Sequence, residues 1–192
     1  EKYQKINQTV TMECMVKFNS IPSGEHDIFS NQQSGGIGLG LNNGKLTFFA
    51  HVGGSYRQPV STVKVGQWYH IVGVIDGKEV KLYVNGQLQS TVTAPSAGIK
   101  YPTSSGAWNM VLGADSDSSN GAQSYINADL SFARIYSSAL SDDGIAYLSD
   151  KAFAGADIEE LKPQDINLGL IGSEGISENG QWNLNIHANE VK

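Results

Sequence analysis

A chain of 192 residues that is 40% apolar and 17% charged can bury one sizeable core, which excludes a collagen-like or disordered polymer. Its formal net charge of -6 leaves no basic stripe to release counterions from phosphate, which argues against nucleic acid and keeps sugars, cations and cationic peptides in play. The sequence holds no run of 18 apolar residues and no signal peptide, and its opening at Glu1-Lys2-Tyr3 reads as the start of a piece excised from a longer protein.

In chain order, Val10 to Phe18 is the first predicted strand. Val10, Met12, Cys14, Val16 and Phe18 share one face, so the single cysteine reads as a small buried hydrophobe. One cysteine builds neither a disulfide nor a thiolate metal site. Strand-like runs follow at Asp27 to Ser30, Gly36 to Leu41 and Lys45 to Val52, set apart by the turn clusters Gly35-Gly36, Asn42-Asn43-Gly44 and Gly53-Gly54. Trp68 to Ile75 and the alternating Val80, Leu82 and Val84 form a hairpin, with Asp76-Gly77 as a type I′ turn. Asn85-Gly86 then reverses the chain towards Gln89 to Thr93 as a meander. Trp108 to Gly113 and Ser124 to Tyr136 are the last strands of this series, and the spacing suits a two-sheet sandwich rather than βαβ units. One helix is predicted after Ser141, with Asp142 and Asp143 at its positive end and Ile145, Leu148 and Ala152 as its apolar stripe.

Beyond this the composition changes. Residues 153–164, with Ala154-Gly155-Ala156 and Pro163, read as a linker. Residues 165–192 alternate again through Ile166, Leu168 and Leu170, then Trp182, Leu184 and Ile186. Two strands cannot bury a core alone, so 165–192 is either the start of a following immunoglobulin-like or cohesin-like domain or a tail packed on residues 1–152.

The stretch Gly66 to Leu88, with Trp68, His70, Gly73, Asp76-Gly77, Leu82-Tyr83 and Asn85-Gly86, resembles the central hairpin of laminin G-like domains of the concanavalin A-like lectin/glucanase type. Ala128 to Ser141, reading ADLSFARIYSSALS, resembles the closing strand and short helix of the same family, so the two motifs stand in family order across about residues 5 to 152. The resemblance implies an all-β, two-sheet antiparallel jelly-roll sandwich with one short C-terminal helix. It also implies a non-catalytic, lectin-like carbohydrate-binding or adhesive module of a larger secreted or wall-attached bacterial protein, often a glycoside hydrolase or metallophosphoesterase. The partners would be a glycan or cell-surface polysaccharide and the neighbouring domains of the chain, without membrane insertion. A structural spacer or protein-interaction domain without a sugar ligand is the alternative, and a glucanase-like hydrolase comes third.

Glucanase chemistry needs two carboxylates facing one sugar from a rigid surface, separated by roughly 5 to 9 Å. No E-x-D-x-x-E string occurs. Glu13 and Asp129, the nearest candidates by strand position, have no acidic neighbour two residues away, and His26, His51, His70 and His187 are scattered, so no catalytic residue is assigned. The loop ADSDSSNGAQ supplies oxygen ligands of the kind calcium takes, at Asp115, Asp117 and Asn120 with Gln123 near by and Asp129 closing from the next strand. Laminin G-like domains often bind calcium at a sandwich rim. A solvated loop with Asx-turns is the other reading of the same residues. Sugar binding asks for an aromatic platform beside polar groups, and His51, Tyr56, Arg57, Trp108 and Tyr125 flank Gly-rich or Ser-rich turns. Trp108 is equally placed to be a core-edge residue, whereas Trp68, Phe48 and Phe132 lie in strand patterns that assign them to packing.

Overall fold

The structure is a computed structural model that describes residues 6–95, 97–103, 110–117, 119 and 121–155. In chain order its elements are β1 (Val10–Phe18), β2 (Glu25–Ser30), β3 (Ile37–Asn42), β4 (Lys45–Val52), β5 (Ser55–Arg57), β6 (Val60–Ser61), β7 (Trp68–Ile75), β8 (Glu79–Val84), β9 (Gln87–Thr93), β10 (Val111–Leu112), β11 (Asp115–Ser116), β12 (Ala122–Gln123), β13 (Ala128–Tyr136) and α1 (Asp142–Phe153). One antiparallel sheet runs β13-β1-β7-β8-β9. The other runs β10-β2-β3-β4-β5 with β6 also on β4, and β11 and β12 form a small ribbon. The expected linker and tail, 153–164 and 165–192, lie outside the described residues from 156 onwards.

The main core fills the space between the sheets. Val10, Met12, Cys14, Val16 and Phe18 of β1 meet Leu39 and Leu41 of β3 and Leu46, Phe48 and Ala50 of β4 there. A second apolar layer lies on the opposite face of the first sheet, where Met15, Val72, Val74, Tyr83, Phe132 and Tyr136 pack under Leu140 and the Ile145 and Leu148 stripe of α1. The middle of the first sheet is therefore covered on both faces. Ser141 caps α1 by accepting the Gly144 N–H at 3.2 Å, and Tyr83 donates to Asp142 at 2.7 Å, so cap and first turn are tied to the sheet.

Into this second layer β1 places Glu13, which is 0% exposed. Its carboxylate accepts from His70 Nε2 at 2.9 Å and from the Tyr136 hydroxyl, and Arg134 Nη1 lies 3.4 Å from both oxygens. Three adjacent strands thus converge on one charge. Burial pushes the Glu13 carboxyl up, but the His70 hydrogen bond and the Arg134 charge outweigh it and bring it below its ordinary value. Thr11, on the same face, donates to the Ser138 carbonyl at 2.8 Å and accepts the Leu140 N–H at 3.0 Å, which fixes the link between β13 and α1.

Two turns illustrate how local chemistry sets register. Asn85 and Gly86 have φ of 53° and 75°, the pair of left-handed residues that a type I′ turn requires. The first hairpin differs from its predicted type. Asp76 N–H donates to the Glu79 carbonyl at 3.1 Å, so Gly77 and Lys78 are the central residues, and only Gly77 has positive φ, at 88°. That is the II′ pattern. Asp76 stays outside the turn because its carboxylate accepts the N–H groups of Lys78 and Glu79 at 2.9 and 2.7 Å.

Glu13→Gln is expected to destabilise the fold by about 3 to 5 kcal/mol, because it leaves the buried Arg134 without its counter-charge. Since the folded carboxyl lies below its ordinary value of 4.5, its contribution is present above that pH and is lost as pH falls through the lowered value. Urea denaturation at neutral pH and melting curves between pH 3 and 6 measure both effects. A loss under about 1 kcal/mol, or an unchanged acid limb in the variant, would contradict the assignment.

Candidate functional site

The site grows from a row of glycines. In β3, Ile37, Leu39 and Leu41 enter the core, so Gly38 and Gly40 fall on the opposite face of the second sheet, where β3 contributes no side chains. The neighbouring strand uses that space. Asp27 pairs with Gly40 and Ser30 with Gly38, and a Cβ on Gly40 would stand 2.3 Å from the Asp27 carboxylate, one on Gly38 2.4 Å from the Ser30 Cβ.

Asp27 meets Asp115 of β11 there, and the two are 0% and 1% exposed. Gln32 Nε2 lies 3.0 and 2.9 Å from the two Asp27 oxygens, and its backbone N–H donates to Asp115 at 2.9 Å. The Ser30 hydroxyl lies against Asp115 and 3.3 Å from Asp27, with one proton to share between them. Glu25, exposed at the strand end, completes a trio whose ligand atoms lie within 4.8 Å of one another. The ion pairs of the described residues fall elsewhere. Burial, with Glu25 and Asp115 adding repulsion, pushes the Asp27 carboxyl up to about 8 against the Gln32 and Ser30 hydrogen bonds.

Two of the expected sugar-platform residues border this cluster. Tyr125 is 66% exposed, and its backbone runs beside Asp27 while its carbonyl meets the His26 ring at 2.7 Å. Tyr56 stands edge-on to His51, with ring centroids 4.8 Å apart. Its hydroxyl accepts the Gly35 N–H at 3.0 Å and reaches the Gly35 and Gln32 carbonyls, so it pins the 31–36 loop over the carboxylates. Burial, followed by Asp115, Glu25 and Asp27, pushes this phenol up to about 12 despite the Gly35 contact. Arg57 does not join them. It pairs with Ala50, whose side chain is in the core, whereas Tyr56 pairs with His51 on the outer face. Trp108 lies outside the described residues.

The residues expected to hold calcium separate. Asp115 joins Asp27 and Glu25. Asp117 instead caps its own turn, accepting the Ser119 and Gly121 N–H groups at 2.7 and 2.8 Å, which hold its carboxyl below the usual range. The Asp129 carboxylate is taken by Lys17 at 2.7 Å and Asn19 at 3.1 Å on the first sheet, and Asn120 lies outside the described residues. Trp68, expected in the core, is 39% exposed under the Lys17 ammonium and lines a shallow groove of about 250 Å³ with Met15, Ser131, Ala152 and Phe153. Trp68 shares the α1 face of β7 with Val72 and Val74 and is the first residue of the strand, where only the groove at the end of α1 borders it, so the hairpin pattern does not carry it inside.

Glu25, Asp27, Ser30 and Gln32 were not singled out from the sequence, although two signals mark them. Alternate glycines in GGIGLGL leave one strand face without side chains, and an aspartate breaks the apolar run of β2.

An antiparallel two-sheet sandwich with a polar, tyrosine-flanked rim on its second sheet has the architecture of a binding module. A laminin G-type family model described as the concanavalin A-like lectin/glucanases superfamily matches residues 2–146, and the chain belongs to that family. Among solved structures, a putative carbohydrate binding protein from Bacteroides ovatus is similar at 15% identity and a TM-score of 0.61, covering 86% of this chain and 45% of that one. Domain 4 of an extracellular GH43 arabinanase from Geobacillus stearothermophilus, solved with arabinotriose, is similar at 18% identity and a TM-score of 0.51, covering 74% and 67%. The binding domain of botulinum neurotoxin serotype D is similar at 14% identity and a TM-score of 0.53, covering 76% and 36%. The chain thus spans less than half the length of the Bacteroides protein, and no curated protein matches it.

Tyr56→Phe is expected to cost about 1 to 3 kcal/mol, because the Gly35 N–H and the two loop carbonyls lose their partner. Urea denaturation of parent and variant measures this, and identical midpoints would show that the hydroxyl does not hold the loop.

Proposed function

We propose that this chain is a non-catalytic carbohydrate-binding module of a larger extracellular protein, with its glycan contact at the rim of the second sheet around Tyr125. The observation that carries the reading is the contrast between the two sheets. The first is covered over most of its area by core on one face and by α1 on the other, whereas the second offers an exposed tyrosine whose carbonyl meets His26 and whose hydroxyl donates to Ala122, next in sequence to the Gln123 that bonds Gln33. A ring of this kind stacks on the C–H face of a pyranose or furanose while side-chain amides meet its hydroxyls. The carbohydrate-binding likenesses favour the same class.

A binding role rather than hydrolysis follows from where the carboxylates sit. Asp27 and Asp115 are buried under the 31–36 loop, and Glu13 is committed to His70, Arg134 and Tyr136, so none presents an acid and a base to a sugar in solution. In a multidomain chain the module would raise the local concentration of a glycan for its neighbours without chemistry of its own. Residues 153–164 would then be the linker and 165–192 the entry to the next domain. A protein-interaction role is the second reading, favoured by the exposed Trp68 and Phe153 beside their groove.

A glycan array that includes arabino-oligosaccharides and cell-wall polysaccharides tests the proposal directly. Tyr125→Ala is expected to weaken a detected sugar several-fold, as loss of about 1 kcal/mol of stacking implies, with the melting temperature unchanged. Retained affinity in that variant would remove Tyr125 from the contact, and an array without any hit would favour the protein-interaction reading.

A further inference from the structure

We propose that the groove beside Trp68 is a docking site for this chain's own residues 158–161, reading IEEL, with Ile158 and Leu161 as the seated side chains. The groove is lined by Met15, Trp68, Ser131, Ala152 and Phe153, where α1 stops. Trp68 is 39% and Phe153 50% exposed, so two large aromatic rings meet at one opening. A lone exposed ring is ordinary on a protein surface, whereas a contiguous apolar pair marks a place of contact.

The chain itself is the occupant that the geometry favours. Ala152 and Phe153 belong to the last turn of α1, and Gly155, with φ of 67°, turns the backbone off the helix axis in the left-handed conformation common at helix ends. From there Ile158 is three residues away and Leu161 six, reaches of at most about 10 and 20 Å. A segment tethered this closely is held at a local concentration on the order of millimolar, and a diffusing partner must outbind it to take the groove.

Sequence, size and charge agree with that occupant. Ile158 and Leu161 stand three positions apart, the spacing that puts two side chains on one face of a helical turn, and Pro163 ends the run. A dry cavity of about 150 Å³ already admits benzene, so a groove of about 250 Å³ has room for two branched aliphatic side chains. Asp157, Glu159 and Glu160 accompany them in sequence. At the groove, Lys17 lies over the Trp68 ring at 5.2 Å, and Lys151, stacked over Tyr147, makes no ion pair among the described residues. Docking of 158–161 shortens the free part of the linker to Lys162, Pro163 and Gln164 and fixes where the chain leaves the sandwich.

The glycan reading plays no part here, and the test contains no sugar. In the full chain, acrylamide quenching of Trp68 is read as the difference between each chain and its Trp68→Phe form, which separates it from Trp108 and Trp182. Ile158→Ser with Leu161→Ser is expected to raise the Trp68 quenching constant twofold or more and to red-shift its emission. Leu168→Ser with Leu170→Ser should leave both as in the parent. All four positions lie beyond α1, so the sandwich keeps its core in either variant. As a second measurement, Ser131→Cys with Leu161→Cys should cross-link within one chain under mild oxidation at least tenfold faster than Asp150→Cys with Leu161→Cys, Asp150 being exposed on α1 and Cys14 buried. Parental quenching in the Ile158/Leu161 variant would overturn the assignment and give the groove to a partner protein. An equal rise in the Leu168/Leu170 variant, or cross-linking no faster at position 131 than at 150, would overturn it as well.

Discussion

The buried carboxylate of Glu13 is the constraint around which the rest is arranged. A buried charge on the second strand of a five-stranded sheet survives only if donors reach it from its neighbours, which is what His70 of β7 and Arg134 and Tyr136 of β13 supply. That demand fixes the order and register of three strands at once. A one-residue slip of either neighbour would turn the donors to the opposite face and leave the charge alone. The cluster is roofed by Leu140, Ile145 and Leu148, so the α1 side of the first sheet stays open only at the strand end, in the groove beside Trp68.

The two acidic centres show one physical rule with opposite outcomes. Both are buried, yet Glu13 has a guanidinium and two further donors, while Asp27 and Asp115 share an amide, a hydroxyl and a backbone N–H. The first is pulled below its usual titration range, and Asp27 is pushed far above its own. A satisfied buried charge is architecture. An under-satisfied one here depends on glycine for its place, since a Cβ on Gly40 would stand 2.3 Å from the Asp27 carboxylate.

Much of the architecture was legible in the sequence because it rests on period and turn chemistry. β1 and β4 have the predicted bounds, Val10–Phe18 and Lys45–Val52, and Ser141 caps the helix as its residue type suggests. The Asp76-Gly77 turn was misplaced because an aspartate can sit inside a turn or cap it from outside, and only the register distinguishes the two. Trp68 shows that a family hairpin position does not fix burial at a strand end. The candidate site was harder to read, since its members come from β2, the 31–36 loop and β11, and Asp115 accepts from Gln32 across 83 positions of sequence. Strand alternation also separates the adjacent residues Tyr56 and Arg57, a division visible only once β5 is known to be a strand.

The pairing of β1 with β13 also governs how the chain reaches this state. Glu13 and Arg134 are 121 residues apart, so the first strand waits for nearly the whole domain to be made before its second neighbour arrives. Contacts of that span carry a high loop-closure cost and place the protein among slow-folding β topologies. The local hairpins β3-β4 and β7-β8-β9, closed by tight turns, can form first and present β7 as a template for β1. Until β13 docks, Glu13 has His70 but not Arg134, so a chain interrupted before about residue 136 would expose an unfinished sheet edge beside a half-compensated charge. Completion of the domain during synthesis is in this sense a single late event, the arrival of its closing strand.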